Sequence, residues 1–95
     1  MPAYEFIESV GAPTHAAVLR VLDLLQEYGP QLSMPYARHV EGDLWELRAG
    51  AARLFYFLHA GRRFIVLHGY RKKSSKTPKK ELATAQRRMI DLLEG

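Results

Sequence analysis

Between Leu44 and Tyr70 three apolar, aromatic-rich runs follow one another with only short turns between them. Leu44-Trp45-Glu46-Leu47-Arg48, Arg53-Leu54-Phe55-Tyr56-Phe57-Leu58 and the stretch from Arg63 to Tyr70 all have strand-favouring composition. The intervening Ala49-Gly50-Ala51-Ala52 and His59-Ala60-Gly61-Arg62 are too short for a helical crossover. Neighbouring runs must therefore fold back on each other as antiparallel hairpins. The middle of the chain is a meander, and the rest of the chain has to cover it.

The flanking sequence reads mainly as helix. Gly11-Ala12-Pro13 opens one, with Pro13 in its first turn. Val18, Leu22 and Leu25 recur at helical spacing, widened by Leu19, Val21 and Leu24, and Tyr28-Gly29-Pro30 ends the helix. Before it, Tyr4 to Val10 reads as a short strand; after it, Gln31 to His39 reads as a short second helix. Near the C-terminus, Thr77 is expected as N-cap and Pro78 as the first residue of a closing helix that buries Leu82, Ala85, Met89 and Leu93. The expected fold is α+β, with N-terminal helices, an antiparallel β-meander and a C-terminal helix, forming one domain over residues 1–95.

Cysteine is absent, which removes disulfides, thiolate nucleophiles and thiolate metal sites. No apolar run approaches the roughly 18 residues of a membrane span. The start, Met1-Pro2-Ala3-Tyr4-Glu5, lacks the basic and apolar regions of a signal peptide. A cytoplasmic protein with no membrane partner is expected.

The net charge of +4 conceals a division. Residues 1–50 carry three Lys/Arg and seven Asp/Glu; residues 51–95 carry eleven and three. From Arg62 to Arg88 there are ten basic residues and a single acid, Glu81. Such a half suits a nucleic-acid binder, and equally a solvated, solubilising surface.

The turns also set a register. A four-residue loop at 49–52 places Arg48 opposite Arg53, and a regular second hairpin then places Arg53 opposite His68. Arg48, Arg53 and His68 would form one row, on a face shared with Leu44, Glu46, Phe55, Phe57, Phe64 and Val66. Trp45, Leu47, Leu54, Tyr56, Leu58, Ile65 and Leu67 would lie on the other face, under the helices. Two opposed arginines repel unless an anion sits between them; the alternative is a splayed surface pair, one of them partly neutralised by Glu46.

Arg71-Lys72-Lys73-Ser74-Ser75-Lys76-Thr77-Pro78-Lys79-Lys80 leaves the last strand and runs into a helix start, which itself favours phosphate. Arg71, Lys76, Lys79 and Lys80 are candidates to hold an RNA backbone, and Tyr56 and Tyr70 to stack a base. No acidic or histidine cluster has metal-ligand spacing, and neither a P-loop nor a G-x-S-x-G elbow is present, so no metal or other cofactor is expected. RNA cleavage through its own 2′-hydroxyl requires none of these. It needs positioning, cations for the phosphorane charge and a proton for the leaving oxygen. His68 is the candidate for proton transfer, although a lone histidine at a strand end also fits a structural role. His15, His39 and His59 read as surface or turn residues.

The segments Gly42-Asp43-Leu44-Trp45-Glu46-Leu47-Arg48, Arg53-Leu54-Phe55-Tyr56-Phe57 and Val66 to Pro78, followed by a helix with Glu81 and Arg87-Arg88, resemble the phage-derived, HigB-like branch of the RelE/ParE toxin superfamily. The likeness extends back to Leu24-Leu25-Gln26-Glu27-Tyr28-Gly29-Pro30. It implies a type II toxin that cleaves mRNA on the ribosome and is neutralised by a cognate helix-turn-helix antitoxin. By the same resemblance the catalytic positions are Arg48, Arg53, His68, Lys72 and Lys73, with Lys76 contacting RNA. The turn between Arg48 and Arg53 is shorter than in many relatives. Some relatives poison DNA gyrase without cutting RNA, and a basic RNA- or DNA-binding module without activity also fits the charge pattern.

Overall fold

A computed structural model describes residues 3–61 and 63–95; Met1 and Pro2 of the N-terminal reading, and Arg62 of the second expected turn, lie outside the described residues. The chain forms α1 (Ala3–Ser9), α2 (Ala12–Tyr28), a single 3₁₀ turn (Gly29–Gln31), β1 (Ala37–Glu41), β2 (Leu44–Ala49), β3 (Ala52–His59), β4 (Arg63–Arg71) and α3 (Lys79–Glu94). The strands make one antiparallel sheet in sequence order. The α+β architecture expected from the sequence is the one observed.

Two segments differ from their sequence reading. Tyr4 to Val10 is not a strand: residues 3–9 are α1. Ala3, Phe6, Ile7 and Val10 fall at i, i+3, i+4 and i+7, which gathers them on one side of a helix. Phe6 and Val10 are buried with α2 and the sheet. Nor is Gln31 to His39 a helix. Pro30 and Pro35 lack N–H donors, and each disfavours helical geometry in the residue before it. The chain turns instead and supplies β1 as a fourth strand, pairing Ala37 with Leu47 and His39 with Trp45.

Helices cover both sheet faces. α1 and α2 bury Phe6, Val18, Val21 and Leu25 against Leu47, Leu54 and Tyr56. α3 lies over the opposite face, where Ala85 is fully buried among Leu44, Phe55, Phe57 and Leu67, with Leu82 and Met89 packed alongside. Leu19 and Leu93, expected on buried stripes, are 47% and 54% exposed. α2 ends at Gly29, whose φ of 57° is the left-handed conformation glycine adopts most readily.

Register decides which residues face α3. The first hairpin is as the turn length required, with Arg48 opposite Arg53. The second is not. His59 pairs with Arg63, so the strand is offset by one from the expected pairing. That single step turns Phe64 and Val66 toward α2 and Ile65 toward α3, the reverse of the sequence expectation. Between Val66 and His68 the ladder skips Leu67, a β-bulge that restores the original facing. Beyond it, His68 pairs with Phe55, and Arg53 pairs with Tyr70 instead of His68.

Candidate functional site

α3 begins only at Lys79, so it covers one end of its sheet face and leaves the other end under the loop 72–78. The uncovered end carries Arg48, Arg53 and Tyr70 in register across β2, β3 and β4. With Arg38, Glu46 and the loop residues Lys72, Ser74, Ser75, Lys76 and Thr77 they line a groove of about 150 Å³. Five cationic side chains (Arg38, Arg48, Arg53, Lys72 and Lys76) thus line the groove together with one carboxylate, that of Glu46.

Glu46 is 3% exposed. Its Oε2 accepts a 2.7 Å hydrogen bond from the buried Tyr70 hydroxyl, and its Oε1 lies 3.4 Å from Nη2 of Arg38. Burial, and then the hydrogen bond and charge of Glu46, push the Tyr70 hydroxyl well above the ordinary phenol range. Arg38 Nη2 also donates to the Thr77 hydroxyl at 2.7 Å. Thr77 is therefore not the helix cap expected from the sequence. Pro78 occupies that position, with no side-chain capping bond, and Thr77 instead ties the loop to β1.

Arg53 is a buried cation whose Nη1 donates to the carbonyls of Gly50 at 2.7 Å and Ala52 at 2.9 Å. Those bonds fix the guanidinium against the β2–β3 turn. Burial first, and then the charge of Arg48, lower its pKa, while Glu46 opposes the shift. Arg53 nevertheless keeps its charge at neutral pH, because arginine starts so high. Arg48 is half-buried and contacts Met34 Sδ at 3.5 Å. Lys72 donates its backbone N–H to the Ala51 carbonyl at 2.7 Å, rooting that side chain beside the same turn.

The sequence-derived candidates separate in three ways. Arg48, Arg53, Tyr70, Lys72 and Lys76 meet in the groove. Lys73, Arg71, Lys79 and Lys80 are exposed around it and do not line it. His68 and Tyr56 are elsewhere. Tyr56 is buried on the α2 side of the sheet beside Phe64, where desolvation pushes its hydroxyl up to about 12. His68 lies under α3, stacked on Phe55, with Nε2 2.6 Å from Glu81 Oε1 and Nδ1 3.1 Å from Arg88 Nη1. With Nδ1 accepting from an arginine, the ring proton sits on Nε2 and is donated to Glu81. Both nitrogens are thus engaged with α3.

Sequence reasoning missed Arg38 and Thr77. Arg38 lay in the segment read as a helix, and the run Ala37-Arg38-His39-Val40 carries no two-residue alternation that would have marked it as a strand. Thr77 carried a genuine cap signature that a tertiary bond overrode. Glu46 was placed on the correct face, but no feature of the sequence marked it as buried.

In comparison with known families, the model described as "Phage derived protein Gp49-like (DUF891)" matches residues 5–90. No curated protein matches the chain significantly. No helix among the described residues is long and apolar enough to cross a membrane.

Proposed function

The chain belongs to the phage-derived Gp49-like family, a RelE/HigB-like toxin-type family, and we propose that it cleaves mRNA at the ribosome through the RNA's own 2′-hydroxyl, as the toxin of a type II toxin–antitoxin pair. The observation that carries this reading is an open groove in which five cationic side chains share the lining with one buried carboxylate, Glu46. A polyanion supplies the negative charge that such a lining lacks.

Each requirement of the reaction has a group in the groove. Glu46 Oε1, which lies 3.4 Å from Arg38, accepts the proton of the attacking 2′-hydroxyl. The 2′-oxygen forms a bond to phosphorus and the bond from phosphorus to the 5′-oxygen breaks, leaving a 2′,3′-cyclic phosphate. Arg48 and Arg53 stabilise the charge that grows on the non-bridging oxygens. The Lys72 ammonium gives a proton to the departing 5′-oxygen. Tyr70 holds Glu46 in place through its hydrogen bond and, with its pKa driven upward, remains a donor throughout. Arg38 and Thr77 tie the loop that carries Lys72 and Lys76 to the sheet edge. Arg71, Lys73, Lys79 and Lys80 extend the cationic surface along which the RNA backbone reaches the groove. In this scheme His68 fixes β4 to α3, with both ring nitrogens held by Glu81 and Arg88, and takes no part in proton transfer.

Mapping transcript 5′ ends after brief expression tests the reading. New ends that appear with the wild-type chain and are lost with Arg53→Ala support it. DNA-damage signalling without cleaved transcripts would instead indicate a gyrase poison. Salt-sensitive RNA binding with neither cleavage nor growth arrest would leave only a binding module. Co-expression of a helix-turn-helix protein encoded beside the gene should relieve growth arrest if that protein is the antitoxin.

A further inference from the structure

Arg48 and Arg53 line a second hollow besides the groove. On their other side, an open hollow of about 280 Å³ lies between α2 (Ala17, Arg20, Val21), Pro35-Tyr36 and the β2–β3 turn. That volume approaches the small-ligand pocket range of roughly 300–1,000 Å³. The two cavities meet at the arginine pair.

Tyr36 is the distinctive element of the second hollow. Its backbone is pinned at both ends: its N–H donates to Ser33 O at 3.0 Å, and its carbonyl accepts from Arg48 N at 2.8 Å. Its side chain is nevertheless 41% exposed. Tyr4 and Tyr28 are more exposed, but Tyr36 lines the same hollow as Arg48 and Arg53 and its backbone is held on both sides. It has the properties of a stacking platform. Arg20 adds a further cation on the α2 side of the hollow.

We propose that this hollow seats one nucleotide of single-stranded RNA, its base stacked on Tyr36, while the neighbouring nucleotide occupies the groove. Arg48 and Arg53 then hold the phosphate between the two nucleotides, and Arg20 meets the next phosphate outward. The inference rests on the reading of the groove as an RNA-cleaving site. It adds that the enzyme grips a base next to the scissile bond.

The test uses the full chain and a 2′-O-methyl oligoribonucleotide, which lacks the attacking hydroxyl, with binding followed by fluorescence anisotropy over a range of salt. Tyr36→Ala should weaken binding roughly tenfold, the scale of one base stacked on an aromatic ring, and Tyr36→Phe should restore it. On an oligonucleotide of the same length lacking all its bases, wild type and Tyr36→Ala should bind alike. Arg20→Gln should lower the salt slope by about one. If Tyr36→Ala binds like wild type while Arg53→Ala binds weakly, the groove reading stands and the stacking subsite is wrong. If the wild-type chain binds no RNA, or Arg53→Ala has no effect either, both fall. If Tyr36→Ala loses affinity for the cognate antitoxin and none for RNA, the hollow is a protein-docking site and the proposal is overturned.

Discussion

The Tyr70 hydroxyl donates to Glu46 Oε2 over 2.7 Å, so that β4 and β2 are joined across the central strand β3 directly beside Arg53. A buried carboxylate needs donors, and Tyr70 is the closest one it has. Tyr70→Phe should therefore destabilise the chain by about 1–3 kcal/mol, the usual consequence of leaving a buried acceptor short of a partner. Urea denaturation measures this, and an unchanged midpoint would show that water or Arg38 replaces the hydroxyl without cost.

The same burial predicts a limit to alkaline stability. Tyr56 is pushed up to about 12 by desolvation, and Tyr70 further in the same direction. A phenol whose folded pKa exceeds its unfolded value of about 10 keeps its proton longer in the folded chain. Its stabilisation is complete below pH 10 and is lost as pH rises through the folded value. Unfolding free energy should therefore fall above pH 10, and Tyr56→Phe should flatten the fall between pH 10 and about 12. Equilibrium denaturation at a series of pH values would refute this if both proteins declined equally.

Arg53 carries both chemistry and local structure. Arg53→Ala should abolish growth inhibition and reduce cleavage by roughly 10²–10³, the scale of losing one preorganised charge donor. Arg53→Lys should recover only part, because an ammonium is a point charge without the planar set of donors that a guanidinium presents to phosphate oxygens. Circular dichroism keeps the comparison fair. A folded Arg53→Ala chain with full toxicity would remove the groove from the mechanism.

His68→Gln separates a structural role from a chemical one. With its ring held between Glu81 and Arg88, His68 joins β4 to α3, so the variant should lower thermal stability while leaving single-turnover cleavage per folded molecule within about tenfold. A larger loss in the chemical step, at unchanged stability, would return His68 to proton transfer.

Gly69 reports on α1. A Cβ there would lie 2.3 Å from Phe6 Cδ2 and 2.8 Å from Leu54 Cδ2. Gly69→Ala must displace Phe6, and should cost about 1–3 kcal/mol in thermal or urea unfolding. An unaffected stability would mean that α1 moves aside freely.

Local chemistry was enough to read the meander, α2 and the closing helix. Short turns forbid crossovers, and the spacing of Val18, Leu22 and Leu25 suits a helix whatever surrounds it. It was also enough to set Arg48 against Arg53, because a four-residue turn fixes the pairing beside it. The errors came where pairing or packing outweighed local preference. A short segment such as Ala37 to Glu41 becomes a strand by finding a partner edge, and its own sequence is compatible with more than one outcome.

Tertiary structure decided the composition of the site. The basic loop and the arginine pair were legible as charge. The one-residue offset at the His59–Arg63 pair and the bulge at Leu67 were not, and they moved Tyr70 into the place expected for His68. Each shifts the ladder by one residue; together they preserve the facing of both side chains while changing which one meets Arg53. Alternation along a strand records facing but not such a slide of two residues. Burial of Glu46, capture of Thr77 by Arg38 and the coverage of His68 by α3 depend on elements distant in sequence. The sequence by itself determined the fold's outline and its basic end; only the packed chain selected which of the charged and aromatic side chains stand together.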